Sequence, residues 1–506
     1  MEISFFRAKN GNETCSVDGI NIHSSYDPQK EAERFAENLE IPFTPSHILI
    51  TEPALSYCLE KLRLRFPLTK FLAVRYCSCF KNKDKNWDKV FYFDPEKSLE
   101  NEIFDFLGEE GILNCFFAAW QPSSKAFEKQ NSLAWLEIKA AVEKSRAVLA
   151  TRSYFAKRWL KNSCRFFLEI NRIVEAQNIR LGNSPVFITA SGPSLKNSIP
   201  YLKKYRDGIF IIALSSSIEA LLYDGLIPDM CISTDGGYYA KKHLEILERC
   251  RKNDILLALS CESCCPTKIL KIFPVIPLSY GDFPEKNFFD AFGVKAAPAV
   301  RNGTVSGTAV QFALSITSGN VYFCGLDMAQ TKGFQHVQPN ALENEHKNTC
   351  GRLSPLLSRT TKAEFYSPVM EIYRSWFSNQ KKEFYKRVRR ISCNFKYSNK
   401  LGDMEDSDWA DFSPEKNVLI PSFLETSMLE KKQTRIKKME DLIDSLSADT
   451  TGGKTDEWLK NAFPADYICF KRSISEEDRK RFRRILVTKN KDLTASLRRI
   501  LDEHVV

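Results

Sequence analysis

A β-branched and aromatic run, PVFITA, breaks at residues 191–194 into Ser-Gly-Pro-Ser and continues into Leu195. Backbone amides left open at the start of a helix bind phosphate oxygens, and this spacing offers such amides just past the end of a strand. Gly192 supplies a backbone conformation closed to other residues, Pro193 presets its own φ, and Ser194 caps the helix that runs through residues 201–205. Other polar tips follow the same grammar. Residues 209–214 (IFIIAL) end in Ser215, Ser216 and Ser217, residues 229–234 (DMCIST) end in Asp235-Gly236-Gly237, and residues 320–325 (NVYFCG) lead to Asp327. Asp229, next to Pro228 at a strand entrance, falls at the opposite edge and reads as structural.

Positioning these tips on one edge requires parallel strands joined by helices, and strand-like runs alternating with helical stretches of ten to fifteen residues predict that arrangement. Open sheets of this kind hold nucleotides outside the carboxyl ends of their strands. A chain of 506 residues exceeds one hydrophobic core. The pattern divides it into an N-terminal α/β domain (1–125), connecting helices (126–180), a Rossmann-like core (181–350) and a helical C-terminal region (351–506). The fold class is thus α/β, a central Rossmann-like parallel sheet with a smaller N-terminal α/β domain and a helical C-terminal region. Residues 132–180 contain no proline and no glycine before the end of the helical pattern, and residues 363–390 and 426–447 are helical, separated by an acidic loop at 402–411. In the first domain, strands are expected at 47–51, 71–77 and 90–93, Asp27 caps a helix beginning at Pro28, and the turn Glu52-Pro53-Ala54 lacks the glycines of a phosphate-binding turn.

Composition narrows the function classes. No run approaches the roughly 20 apolar residues that span a bilayer, and the first residues, MEISFFRAKN, lack a basic stretch followed by an apolar core, so a cytoplasmic protein with no integral membrane segment is expected. Fifteen scattered cysteines, among them Cys77, Cys231 and Cys324 in strand-like runs, read as reduced core thiols. Cys261, Cys264 and Cys265 have no second pair at zinc-ribbon spacing, so no metal site is assigned to them. Nine of the 21 residues 471–491 are basic against three acidic, with Phe482, Ile485 and Leu486 at helical spacing. This is an amphipathic helix with a solvated basic face and no aromatic stacking motif, which argues against nucleic acid. Gly452-Gly453-Lys454-Thr455 lacks the spaced glycine and preceding strand of a P-loop.

In order along the chain, IHSSYDPQKEAERF (22–35), ASGPSL (190–195), SSSIEALLYDGLIPDMCISTD (215–235), RNGTVSGTAVQFAL (301–314) and VYFCGLDMAQTKGFQH (321–336) resemble the motifs of the motility accessory factor family. The resemblance covers most of the chain. Its core is also similar to bacterial sialyltransferases that use CMP-sialic acid and to the 6-hydroxymethylpterin pyrophosphokinase-like family. The sequence departs from the family pattern at Ala190-Ser191, where a hydroxyl stands in place of a side-chain amide.

What the resemblance implies is transfer of a nonulosonic acid, of pseudaminic or legionaminic type, from a CMP-activated donor to serine or threonine hydroxyls of flagellin, in support of flagellar assembly and motility. The donor is anionic at its phosphodiester and at its sugar carboxylate. Helix starts at Gly192, Pro193 and Ser194 and at Gly303, Thr304, Ser306 and Thr308 can stabilise the departing phosphate without a required cofactor, and Ser191, Ser215 and Ser216 can contact the nucleotide. The acceptor hydroxyl needs a proton acceptor. His336, one of six histidines, is the leading candidate, with Asp235 as an alternative base or ribose ligand, and Asp327 either orienting His336 or capping a turn.

Two other readings follow from the same residues. A 6-hydroxymethyl-dihydropterin pyrophosphokinase-like transferase would use ATP and make Asp235 and Asp327 ligands to magnesium. A flagellin-binding chaperone would keep the fold without turnover.

Overall fold

The computed structural model describes residues 2–250, 255–329, 333–360, 368–391, 400–413, 427–447 and 454–505. The Gly-Gly pair that the P-loop comparison rejected lies outside them. The chain divides into two compact units, one formed by residues 1–156 with 451–492, the other by 157–450 with 493–506.

In the first unit, strands β1 (Ile3–Arg7), β2 (Glu13–Val17) and β3 (Ile20–Asn21) form a small antiparallel sheet, while β4 (His47–Thr51), β5 (Lys70–Arg75), β6 (Lys89–Tyr92) and β7 (Cys115–Ala119) form a parallel sheet in the order β6-β5-β4-β7. The three strands read from the sequence are there. The motif at 22–35 is explained by local hydrogen bonding. His23 Nε2 accepts from the Leu55 amide at 3.1 Å, the Ser24 hydroxyl accepts from the amides of Tyr26 and Asp27 at 3.2 Å each, and Asp27 accepts from the Lys30 amide at 3.0 Å with Pro28 opening the helix Pro28–Asn38. The turn after β4 holds three non-glycine residues at positive φ, namely Glu52, Ala54 and Ser56. A buried pair over-determines this strain. Arg75 and Glu52, both without solvent exposure, meet at 3.0 Å, and Arg75 also donates to Ala54 O and Ser56 Oγ. The turn is thus a filled scaffold, in keeping with its lack of phosphate-binding glycines.

The second unit is built on one large sheet. Its strands are β8 (Arg172–Ile173), β9 (Val186–Thr189), β10 (Phe210–Leu214), β11 (Met230–Ser233), β12 (Leu256–Ser260), β13 (Pro274–Ser279), β14 (Ala297–Pro298), β15 (Val321–Cys324), β16 (Val388–Ile391), β17 (Glu405–Ser407) and β18 (Ser427–Met428). The order is β17-β16-β15-β9-β10-β11-β12-β13-β8-β18, with β14 on β13. All pairings are parallel except β18 with β8. The central strands are buried throughout, as expected where helices cover both faces. Helix Val305–Ile316 packs across β9, β10, β11 and β15, with small buried residues Ala309 and Ala313, while Gly307 makes room for the Asn302 side chain. Burial pushes the Cys231 thiol up to about 12, as suits a core cysteine. Among the described residues, no helix is long and apolar enough to cross a membrane.

Four local readings need correction. The helix expected over 426–447 begins only at Lys432, because residues 427–428 pair with β8 as β18. The helix expected over 132–180 is one 42-residue helix, Glu128–Glu169, that stops before residue 170. Residues 172–173 are drawn into the sheet by β13, and Arg435 donates to Ile170 O and, at 3.1 Å, to Asn171 Oδ1. The helix expected over 363–390 ends in strand β16, which adds to β15. The acidic loop at 402–411 contains β17, because Arg390, buried on β16, binds Asp406 through two nitrogens at 2.5 and 2.8 Å.

Candidate functional site

Strand order reverses between β9 and β15. The chain runs from β9 outward through β13, then returns to place β15 on the other side of β9. Doubly wound sheets receive ligands outside the carboxyl ends of the strands at such a switch point; here the two backbones stay paired past the strand ends, the Ala190 amide donating to Cys324 O at 2.8 Å. The segment 190–194 follows β9 and the segment 325–327 follows β15.

The turn at 191–194 is already engaged. The Ser194 amide donates to Asp327 Oδ2 at 3.0 Å and the Ser194 hydroxyl to Asp327 Oδ1, while the Gly192 amide donates to Gly325 O at 2.9 Å. The Asp327 carboxylate occupies the start of helix Leu195–Lys204, where a phosphate was expected. Two sequence readings change as a result. Ser194 does not cap the helix through its side chain, and Gly192 is not at positive φ. Glycine is required there by close approach, since a Cβ would lie 2.4 Å from Asp327 Oδ2 and 2.5 Å from Gly325 O. Pro193 accepts from the Lys196 amide in the first turn.

The second helix start is intact as a polar N-terminus. Gly303 is at φ 76°, Thr304 is the N-cap of Val305–Ile316, and its hydroxyl accepts from the Ser306 amide at 3.2 Å. Ser306 and Thr308 are buried. At the tip of β10, Ser215 is buried and Ser216 donates to the Ser191 hydroxyl at 2.9 Å, so two hydroxyls stand side by side at the ends of β9 and β10.

The segment after β15 comes back over these tips. The Val337 amide donates to Ser191 O at 2.8 Å and Asn340 Nδ2 to Ser216 O at 2.9 Å. His336, partly exposed, is thereby held above the strand ends, and its carboxylate neighbour is Glu343, with Nδ1 and Oε1 3.4 Å apart. Glu343 is nearly buried and also accepts from the Gln335 amide at 2.7 Å, the His336 amide at 3.1 Å and Gln338 Nε2. His336 Nδ1 makes no hydrogen bond to this carboxylate, so Glu343 stands beside the imidazole as a nearby charge, while Asp327, offered by the sequence as an orienting acid or a turn cap, binds Ser194. His243 lies close by on helix Tyr238–Leu244, which packs against Ser215–Ser217 and helix Ala341–Asn348. Burial, then the charge of His336, pushes it down to about 4.

Asp235, exposed at the tip of β11, accepts from the Gly237 amide at 2.8 Å. Beyond it, at the ends of β12 and β13, is a cluster that sequence reasoning missed. Arg301 binds Glu262 at 2.7 and 3.0 Å and Asp282 at 2.6 Å, over the rings of Tyr280 and Trp159. Glu285 accepts from Ser279 Oγ and the Tyr280 amide, and burial followed by the charge of Glu262 pushes it up to about 8. Asp229 is at the other edge of the sheet, bound by Arg206 at 2.6 Å and the Ile211 amide at 2.7 Å. Of the missed residues, Glu343 had a local signal. Asn340 followed three residues later by Glu343 is a helix-start pattern.

Comparison with known proteins adds to this geometry. Residues 157–333 match the MptE-like family model, described as 6-hydroxymethylpterin diphosphokinase MptE-like. The MptE-like segment takes in strands β8 through β15, the 191–194 turn, Asp235 and Asp327, and it ends before His336 and Glu343. An uncharacterized protein of Treponema pallidum (strain Nichols) is 30% identical over 298 residues, 58% of this chain, and the aligned part spans 64% of that relative's length. The structure of MAf glycosyltransferase from Magnetospirillum magneticum AMB-1 is similar in fold, with a TM-score of 0.57 at 11% identity, covering 100% of this chain and 92% of that one. The MptE-like match and this fold similarity support the resemblance read from the sequence.

Among the described residues, no group of three or more His, Cys, Asp or Glu side chains gathers in a way that could hold a metal. Both Asp327 oxygens are engaged by Ser194, so the donor set that a magnesium ion would need from Asp235 and Asp327 does not fit this arrangement.

Proposed function

We propose that this protein is a cytoplasmic glycosyltransferase that moves a nonulosonic acid from a CMP-activated donor to serine or threonine hydroxyls of flagellin. The observation that carries the reading is the anchoring of the segment with His336 and Glu343 to the strand tips, through the Val337 amide on Ser191 O and Asn340 Nδ2 on Ser216 O, beside the Ser191–Ser216 hydroxyl pair. The similarity in fold to a MAf glycosyltransferase supports the reaction class.

In this reading the donor's nucleotide lies along the tips of β9 and β10, with its phosphate toward the Thr304 helix start. Amides and hydroxyls there stabilise the charge that grows on the phosphate oxygen as the bond to the anomeric carbon breaks. The acceptor oxygen forms the new bond to that carbon and its proton passes to His336 Nε2. Glu343 beside Nδ1 stabilises the resulting imidazolium, and CMP leaves with the electron pair of the broken bond. A fixed hydroxyl pair suits ribose and phosphate oxygens.

The test is intact mass of flagellin from the host strain, carrying wild-type, His336→Ala or Glu343→Gln protein. Both variants are expected to lose most of the sugar mass increment, His336→Ala by about 10²–10⁴-fold in rate, with circular dichroism unchanged. An increment equal to wild type in His336→Ala refutes the base, and flagellin unmodified in the wild type refutes the reaction. The MptE-like match favours a second reading, diphosphate transfer from ATP to a hydroxymethylpterin. It predicts ATP-dependent diphosphate transfer to an added hydroxymethylpterin by the purified protein, which the sugar-transfer reading does not.

A further inference from the structure

The first unit carries a groove of 560 Å³ that the catalytic reading leaves unused. Its floor is β7, the outer strand of the parallel sheet. Phe35 and Leu39 come from the end of helix Pro28–Asn38, and Gln121, Asn131 and Trp135 from the two helices that follow β7, with Phe117 between them.

The backbone of β7 determines what fits. The Trp120 amide donates to Thr51 O at 3.2 Å, which fixes the alternation. In a parallel ladder, residues 116, 118 and 120 turn their amides toward β4, and Phe117 and Ala119 turn theirs outward. The groove therefore exposes alternating N–H and C=O groups at the two-residue period of a strand, between apolar walls. Such an edge is complementary, in partial charge and spacing, to one more extended chain. Phe35 and Leu39 from one helix and Trp135 from another line the same groove as β7, so an extended segment paired with the strand lies among apolar side chains.

We propose that β7 docks an extended segment of the acceptor protein by strand addition, with backbone pairing at Phe117 and Ala119 and apolar side chains of the segment against Phe35 and Trp135. That the segment belongs to the acceptor rests on the transferase reading. Docking of an extended chain does not. It gives the protein a means of holding a large acceptor at a distance from the reacting hydroxyl.

The experiment is amide-resolved hydrogen exchange on the full chain, with and without purified unglycosylated flagellin, together with Ala119→Pro. This substitution deletes one outward N–H without touching the β4 ladder. The expected result is slowed exchange at Phe117 and Ala119 on adding flagellin, and about tenfold weaker flagellin binding by Ala119→Pro, equivalent to about 1.4 kcal/mol, with CMP affinity unchanged. Trp135→Ala, which leaves the backbone alone, is expected to weaken binding in the same direction. Unchanged exchange at these two amides overturns the proposal, whether or not flagellin binds elsewhere, and so does protection that appears without flagellin as protein concentration rises, which marks a second copy in the groove. The sugar increment on flagellin, measured in parallel, judges the transferase reading separately: transfer without protection sinks the groove alone, and protection without transfer sinks the reaction alone.

Discussion

At the scale of single residues, the clearest lesson is at Gly192. Sequence grammar marks it as a turn glycine chosen for backbone freedom, but the structure requires it because the Asp327 carboxylate and Gly325 O sit where a Cβ would be. Gly192→Ala is expected to destabilise the second unit by about 1–3 kcal/mol. In an Asp327→Gly background the same change is expected to cost less, because one of the two clashing groups is gone. Urea denaturation of the four proteins in this cycle measures the coupling, and strictly additive losses would show that the two residues do not meet as described. The same contact explains why the 191–194 turn was legible as a helix start and misread as an open phosphate cradle. Helix-forming residues are local, whereas the partner that fills the amides arrives from residue 327, across the sheet. The His336–Glu343 pair shows the reverse case. The chemistry and rarity of histidine single out residue 336 in the sequence, whereas Asp327, offered there as either an orienting acid or a turn cap, binds Ser194 and the carboxylate beside the imidazole is Glu343.

At the scale of elements, hydrophobic runs located the strands well, since buried parallel strands are continuous apolar segments. The errors fall where a tertiary partner overrode a local pattern. Residues 405–407 look acidic and loop-like, yet Arg390 recruits Asp406 and extends the sheet. The neighbouring Trp409 then stacks on Phe187 at 5.2 Å and on Tyr201 at 5.2 Å, both nearly parallel, and seals that face of the sheet. Because the indole is almost fully buried, Trp409→Ala is predicted to cost about 3–5 kcal/mol of stability. A denaturation midpoint within experimental error of wild type would show that the ring does not clamp this edge.

For the molecule as a whole, pH should act from two sides through groups the sequence did not single out. Glu285 is raised to about 8 from an ordinary carboxylate value, so the native state keeps a proton that the unfolded chain loses, and stability declines as pH rises from about 4.5 to about 8 and then levels. His243, lowered to about 4, works in the other direction. The unfolded chain takes up a proton below about 6.5 that the native state refuses, so stability falls as pH drops from 6.5 toward 4. Glu285→Gln is expected to remove the first slope, leaving the variant more stable than wild type at pH 8 by a margin that shrinks toward pH 5. Thermal unfolding at several pH values measures this, and parallel curves for the two proteins would mean that Glu285 ionises normally in the fold. The sequence by itself determined the parallel α/β core, the N-terminal α/β unit, the strand tips that share one edge and the histidine above them, because burial periodicity and turn chemistry are written in neighbouring residues. Only the tertiary structure decided that Asp327 fills the first helix start, that Glu343 backs His336, that Arg301, Glu262 and Glu285 form a second polar cluster, and that β7 is an open edge. Each of these depends on which strand lies beside which, and strand order is set by the packing of the whole chain.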